Sequence, residues 1–176
     1  MIIALIIVLI LYVFTIISFR LGWKRNYTKS NVYLVKVSVV IAVRNEQENI
    51  KRLVKSLKDQ NYDKNLYNVI IIDDHSSDDT WSILCKEELN WSNLVVLSMD
   101  SNKYGKKNAI LKAVNYSESE IILTSDADCI FSSDWITNMT SCFLDKKVNL
   151  VSGPVSFNNE LTFFSKIQTL EFLSLV

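Results

Sequence analysis

Glycine and proline are scarce in this chain, with three and one among 176 residues, and only three cysteines occur. The shortage of glycine and proline argues against disordered or low-complexity sequence. An odd number of cysteines without C-x-x-C spacing predicts free thiols in a reducing compartment, not a disulfide framework or a zinc site. Excess charge is also lacking, because 19 basic residues balance 19 acidic ones. We therefore expect no nucleic-acid partner.

Charged side chains are absent from residues 1–19, which are rich in Ile, Leu and Val. A helix of that length rises about 28 Å, close to the thickness of the hydrocarbon core of a membrane. The features of a cleaved signal peptide are not evident, although such a peptide or a buried helix remains the alternative. Basic residues follow at once, namely Arg20, Lys24, Arg25 and Lys29. Because basic residues stay on the cytoplasmic side, we predict a transmembrane anchor over 1–19, a basic juxtamembrane linker over 20–34 and a cytoplasm-facing domain.

Apolar, mostly β-branched runs alternate with helical patterns in the rest of the chain. The predicted strands are residues 35–43, 69–72, 94–97, 121–124 and 148–151. The first helix is expected to begin at a capping box of Asn45 and Glu48 and to run to about Gln60. Residues 76–79 are predicted to cap the second helix. Strands separated by helices predict an α/β fold, with a mostly parallel sheet covered by helices on both faces.

Polar residues follow three of the predicted strands at the point where each strand ends. Asp73 and Asp74 follow one strand, Asp126 and Asp128 follow another, and Arg44 follows the first. Parallel sheets bind ligands outside the carboxyl ends of their strands, so we expect these clusters to converge. Carboxylates two residues apart suit a divalent cation with open positions, as a nucleoside diphosphate requires.

Four segments carry a resemblance to a known family. They are VSVVIAVRNE at 37–46, IDDHSSDDT at 72–80, GKKNA at 105–109 and DAD at 126–128. In order and spacing they resemble the motifs of family 2 glycosyltransferases with the GT-A fold, in particular bacterial membrane-anchored members. The resemblance implies a nucleotide-sugar-binding domain over residues 35–157. Residues 158–176 are expected to form an amphipathic or a core helix, with the domain incomplete at its end.

The resemblance also implies roles for individual residues in binding the sugar donor. Asp74 would accept a hydrogen bond from a uracil-like base, and Asp73 would support the loop instead. Ala42 and Arg44 would line the base and ribose pocket, and Asn45 and Glu46 belong to the same motif. Lys106 would add positive charge near the phosphates. His75 is expected to be a loop histidine, with a metal or general-base role as the alternative.

The metal and the catalytic base are implied in the same way. Asp128 would hold Mn²⁺ or Mg²⁺ on the diphosphate, and Asp126 would contact the metal or the ribose. The catalytic base of the family is an Asp in a later acidic motif, which this sequence lacks up to its last residue. We therefore expect the base beyond Val176.

These features predict an enzyme that moves a sugar from a nucleoside diphosphate sugar, with UDP favoured, to a lipid-linked or polysaccharide acceptor at a membrane, with inversion. The alternative is a non-catalytic nucleotide-sugar-binding module without the base. A nucleotidyltransferase also uses a parallel sheet and metal carboxylates, but residues 42–46 contain none of the glycines expected of its basic loop.

Overall fold

The computed structural model describes residues 2–23, 33–155 and 165, and the chain divides into two compact units, Met1–Ser30 and Asn31–Val176. The helices are α1 Ile2–Trp23, α2 Ile50–Lys58, α3 Thr80–Leu89, α4 Lys106–Tyr116 and α5 Trp135–Ser141, with a short 3₁₀ turn at Cys142–Leu144. The strands are β1 Val37–Val43, β2 Tyr67–Asp73, β3 Leu94–Ser98 and β4 Ile121–Ser125.

The first unit contributes α1, whose described apolar side chains are exposed. Thr15 Oγ1 and Ser18 Oγ donate hydrogen bonds within the helix, to the carbonyl oxygens four residues earlier. Within the described residues, no helix combines the length and the apolar character needed to cross a membrane. The structure therefore does not support the transmembrane anchor predicted for residues 1–19.

The second unit is built on a four-stranded sheet in the order β3-β2-β1-β4, with every pair parallel. At the carboxyl ends of the strands, Val43 lies beside Asp73, and Asp73 lies beside Ser98. The two central strands are buried on both faces, which explains why β1 and β2 are almost continuously apolar. The predicted α/β fold with a parallel sheet is confirmed.

The two faces of the sheet pack against different helices. Side chains of alternate strand residues, such as Ile41 and Ile71, lie in a core cluster that contains residues of α2, α3 and α5. Their neighbours Val40 and Ile70 belong to a second cluster with Ala109 and Ala113 of α4. The small alanine side chains let α4 lie close to the sheet, and the period of two follows from the pleat of the strands.

Two predictions about local structure were wrong. Asn45 and Glu48 do not form a capping box, because the side-chain oxygen of Asn45 accepts hydrogen bonds from Ser77 in another loop. A turn over residues 47–49 precedes α2, which begins at Ile50. Residues 148–151 are not a strand, since a groove of about 330 Å³ lies between them and β4.

The cysteines agree with the sequence prediction, since Cys85, Cys129 and Cys142 are all free thiols. The helix predicted over residues 158–176 lies outside the described residues, apart from the single helical residue Ser165.

Candidate functional site

The candidate site lies where the four parallel strands end. Because β2 and β3 lie on one side of β1 and β4 lies on the other, the strand order reverses between β1 and β4. Parallel sheets open a crevice at such a reversal, at the carboxyl ends of the strands. The loops that follow β1, β2 and β4 carry the polar clusters found in the sequence.

Asp73 is the last residue of β2 and braces the loop that follows it. Its side chain is buried, and Oδ2 accepts a hydrogen bond from the backbone N–H of Ser76 at 3.1 Å. Its Oδ1 is buried without a partner among the described residues. The backbone carbonyl of Asp73 accepts from the N–H of Met99 at 2.9 Å, which ties the ends of β2 and β3 together. This loop-supporting position is the one predicted for Asp73.

Asp74 is also buried, but its carboxylate faces a different loop. Its backbone N–H donates to the carbonyl of Val43 at 2.8 Å, so it stays beside the end of β1. Its Oδ2 accepts from the backbone N–H of Gly105 at 2.8 Å, and its Oδ1 lies 3.0 Å from Nδ1 of His75. Both carboxylate oxygens of Asp74 therefore contact other described residues.

His75 lies in the loop after β2 and contacts the loop before α4. It adopts a φ of 60°, and its ring stacks on Tyr104 with a centroid distance of 4.3 Å. Its Nε2 is buried without a partner among the residues that the structure describes. His75 is therefore a loop histidine that contacts the candidate site through Asp74.

The loops after β1 and β2 are joined by hydrogen bonds around Asn45. Asn45 adopts a φ of 56°, and its Oδ1 accepts from the N–H of Ser77 at 2.8 Å. In return, the Asn45 N–H donates to Ser76 Oγ at 2.9 Å, and the Glu46 N–H donates to Thr80 Oγ1 at 2.8 Å. The predicted donor-binding residues Asn45 and Glu46 thus fix the shape of one wall of the crevice.

The same wall contains Asp78, which lies two residues before the start of α3. Hydrogen bonds from Thr80, followed by one from the backbone of Gln47, lower the pKa of Asp78 from its ordinary value. Ala42 is half-buried near the end of β1, and Arg44 is exposed just beyond it. Both residues therefore lie at the carboxyl end of β1, and their roles in binding a nucleotide stay predictions.

The loop after β4 presents two carboxylates to solvent. Ala127 is buried in the core cluster, whereas its neighbours Asp126 and Asp128 are exposed. The inward position of Ala127 leaves both acidic side chains on the outer side of the loop. Asp126 Oδ1 forms an ion pair with Nζ of Lys106, the first residue of α4. Asp128 stays free of ion pairs with other described residues.

The oxygen donors of Asp126 and Asp128 suit Mg²⁺ or Mn²⁺, which prefer hard oxygen ligands. No group of three metal-binding side chains lies together within the described ranges. The two carboxylates fit a cation that takes its remaining ligands from water and from a diphosphate, as Mg²⁺ does in nucleotide sites. Lys106 already neutralises one of them, so a cation at Asp126 must compete with that lysine.

A groove of about 520 Å³ lies elsewhere, at the amino ends of β1 and β2, where it is lined by residues such as Val37 and Tyr67. It contains none of the predicted site residues. We place the functional site at the carboxyl ends on chemical grounds, because the buried Asp74 and the exposed acidic pair both lie there.

Sequence reasoning missed two contributors to the site. Tyr104 covers His75, and Thr80 holds the backbone of Glu46. The sequence position of Tyr104, directly before Gly105 and Lys106, could have indicated that it lies near the site. The contact of Thr80 depends on how two loops meet and left no local signal.

Comparisons with known proteins agree with the fold. The family model described as Glycosyl transferase family 2 matches residues 38–174. Glycosyltransferase AglE of Haloferax volcanii is 32% identical over 123 residues, which cover 69% of this chain and 40% of AglE. A β-monoglucosyldiacylglycerol synthase of Trichormus variabilis is 33% identical over 137 residues, covering 77% of this chain and 29% of the synthase.

Solved structures of similar fold include TarS 1-349 of S. aureus in complex with UDP-GlcNAc, at 26% identity and a TM-score of 0.57 over 71% of this chain and 38% of TarS. The mannosyltransferase PcManGT of Pyrobaculum calidifontis, solved with GDP-Man and Mn²⁺, has a TM-score of 0.62 at 23% identity over 69% of this chain and 37% of that one. This second likeness concerns the fold alone.

The chain spans 29–40% of the length of the relatives AglE and the glucolipid synthase. The family model nevertheless covers most of the chain, including the loops after β1, β2 and β4. The fold is accordingly α/β of the GT-A type, with a parallel sheet flanked by helices. The chain belongs to glycosyltransferase family 2.

Proposed function

We propose that this chain takes part in transferring a sugar from a nucleoside diphosphate sugar to a lipid-linked or polysaccharide acceptor. One observation carries the proposal. The carboxylates of Asp74 and Asp126, which follow different strands, contact the consecutive residues Gly105 and Lys106. These contacts bring together a buried carboxylate, which would accept a base, and an exposed acidic pair, which would hold a cation near the phosphates.

Asp74 is suited to recognise the base because its carboxylate is buried beside the end of β1 and accepts N–H groups. A carboxylate accepts the imide N–H of uracil and also the N–H groups of guanine. Ala42 and Arg44 lie beside it at the end of β1 and would border the base and ribose. We favour a UDP-sugar, with a GDP-sugar as the second choice.

Asp128 and Asp126 would hold a Mn²⁺ or Mg²⁺ ion on the diphosphate. When bound, such an ion stabilises the negative charge that develops on the departing nucleoside diphosphate. Lys106 would add positive charge on the same side once it leaves Asp126. The oxygen donor set and the solvent exposure of both carboxylates support this assignment.

In the proposed reaction an acceptor hydroxyl attacks the anomeric carbon from the side opposite the diphosphate. The bond from that carbon to the hydroxyl oxygen forms as the bond to the phosphate oxygen breaks, so the configuration is inverted. The hydroxyl proton passes to a general base. We assign no described residue to that role.

The names of the relatives support the substrate classes. TarS was solved with UDP-GlcNAc and PcManGT with GDP-Man and Mn²⁺, so both nucleotides occur in this fold. One relative is a β-monoglucosyldiacylglycerol synthase, and another is the poly-β-1,6-N-acetyl-D-glucosamine synthase of Staphylococcus aureus, at 29% identity over 141 residues, 80% of this chain and 33% of the synthase. These names support a lipid or polysaccharide acceptor.

We also propose that the chain works at a membrane with its catalytic domain in the cytoplasm. The support is the uncharged, apolar sequence of residues 1–19 and the basic residues Arg20, Lys24 and Arg25 just after it. Cell fractionation with protease treatment of sealed vesicles tests this. Recovery in the soluble fraction would contradict it.

Transfer by the full chain tests the proposed function. Labelled UDP- and GDP-sugars are offered with Mn²⁺ and a membrane lipid extract, and nucleotide release and lipid labelling are measured. Asp128→Asn should lower the rate by about 100-fold or more, as expected when electrostatic stabilisation of the transition state is lost. Glu118→Gln removes the same charge near the amino end of β4 and should leave the rate unchanged. Donor binding without any transfer would favour the non-catalytic module.

A further inference from the structure

The amino end of α4 touches both acidic groups of the donor site. Gly105 donates its backbone N–H to Asp74 Oδ2 at 2.8 Å, and Lys106 places its ammonium group on Asp126 Oδ1. These two residues are consecutive, whereas the carboxylates belong to loops 52 positions apart in the sequence. One short segment therefore spans the crevice between the end of β2 and the end of β4.

The two contacts imitate the two parts of a metal-bound donor. A backbone N–H on Asp74 presents the same hydrogen-bond donor as the N–H of a nucleotide base. An ammonium group on Asp126 places positive charge where a divalent cation would bind. The Gly105 N–H and the Lys106 ammonium group thus occupy the carboxylates that would bind the base and the cation of the donor.

The segment is built so that it can leave the crevice. Tyr104, Gly105 and Lys106 are exposed, and the Tyr104 ring is held by its stack on His75. Gly105 has a φ of 94°, which side-chain-bearing residues rarely adopt, and no described heavy atom lies within 4 Å of an added Cβ. A residue larger than glycine would therefore disfavour this conformation through its backbone alone.

We propose that residues 104–106 act as a latch that occupies the donor carboxylates until nucleotide and cation displace it. The inference rests on the proposed function, since it assumes that Asp74 and Asp126 bind the donor. Each ligand releases part of the same segment, so nucleotide and cation should each raise the affinity for the other.

Cation binding without nucleotide tests the lysine contact. The full chain is titrated with Mn²⁺ alone, and free Mn²⁺ is measured by electron paramagnetic resonance. Lys106→Met should bind Mn²⁺ about two- to fivefold more tightly than the wild type, because it removes an exposed ion pair that competes with the cation. Lys107→Met, one residue further along the exposed start of α4, should bind as the wild type does.

The two proposals fail in different ways in this titration. If Lys106→Met binds Mn²⁺ no more tightly than the wild type, while Asp128→Asn abolishes binding, the latch is refuted and the donor site stands. If no variant binds Mn²⁺, with or without UDP or GDP, the proposed donor site is refuted and the latch with it.

A second measurement tests the contact between Gly105 and Asp74, and it uses NMR signals instead of enzyme activity. His75 is the single histidine of the chain, so its ring gives one set of NMR signals that respond to the stacked Tyr104 ring. Adding UDP or GDP with diamagnetic Mg²⁺ should shift these signals as the latch opens. Gly105→Ala should shift them in the same direction without ligand. Signals unchanged by both perturbations would overturn the latch.

Discussion

Asn45 offers a test of what stabilises the loop after β1, because its side chain accepts hydrogen bonds and its backbone adopts a positive φ. Its Oδ1 accepts hydrogen bonds from the N–H and the Oγ of Ser77, at 2.8 and 3.2 Å. Its backbone adopts a φ of 56°, which asparagine tolerates better than most residues. Three substitutions separate these contributions to the free energy of unfolding.

Asn45→Gly loses the hydrogen bonds but accepts the positive φ, so it should cost about 0.5–1.5 kcal/mol. Asn45→Ala loses the same hydrogen bonds and adds about 1 kcal/mol of backbone strain, for a total of about 1.5–2.5 kcal/mol. Asn45→Asp keeps an acceptor oxygen and tolerates the backbone conformation, so its cost should stay below about 0.5 kcal/mol.

Urea denaturation of the full chain, followed by circular dichroism, measures these differences. If Asn45→Ala and Asn45→Gly lose the same free energy of unfolding, the backbone conformation has no role. If Asn45→Asp loses as much as Asn45→Ala, the hydrogen bonds of the side-chain oxygen have no role. Calorimetric binding of UDP to the same three variants adds a functional outcome. Unchanged stability in all three with lost UDP binding would show that Asn45 contacts the donor directly.

Two further predictions concern buried tyrosines. The Tyr62 hydroxyl accepts from the Val35 N–H at 2.9 Å and donates to a nearby carbonyl, so Tyr62→Phe should lower the free energy of unfolding by about 1–3 kcal/mol in urea. Tyr116→Phe, on an exposed ring, is the control and should change it by less than about 0.5 kcal/mol. Burial, followed by the negative charge of Asp59, raises the pKa of Tyr67 to about 12. An unfolded tyrosine loses its proton near pH 10, so the stability that Tyr67 contributes should fall from about pH 10 to about pH 12. Urea titrations across this range should show a shallower fall for Tyr67→Phe, and parallel curves would contradict the shift.

The sheet could be predicted from sequence because its central strands are buried on both faces. Runs such as residues 37–43 and 69–72 are β-branched and apolar almost throughout, which marks parallel strands regardless of their partners. The segment at 148–151 has similar composition but no strand partner among the described residues, since a groove lies between it and β4. Strand pairing is a tertiary property that composition cannot supply.

The acidic residues of the site were predictable, whereas their partners were not. Asp74, Asp126 and Asp128 each follow an apolar run, and that position alone puts them at the carboxyl ends of the sheet. The contacts of Asp74 with Gly105 and of Asp126 with Lys106 join residues 31 and 20 positions apart. Such contacts depend on how a loop closes over the sheet. The same reason explains the failed capping box at Asn45, whose side chain found a partner in another loop.

The most direct test of the central claim is calorimetric titration of the full chain with UDP and GDP, with and without Mn²⁺. Circular dichroism first establishes that the wild type, Asp128→Asn and Glu118→Gln are equally folded. The donor site predicts nucleotide binding that is strengthened by Mn²⁺, loses this dependence in Asp128→Asn and keeps it in Glu118→Gln. A folded wild-type protein that binds neither nucleotide in the presence of Mn²⁺ would contradict the account.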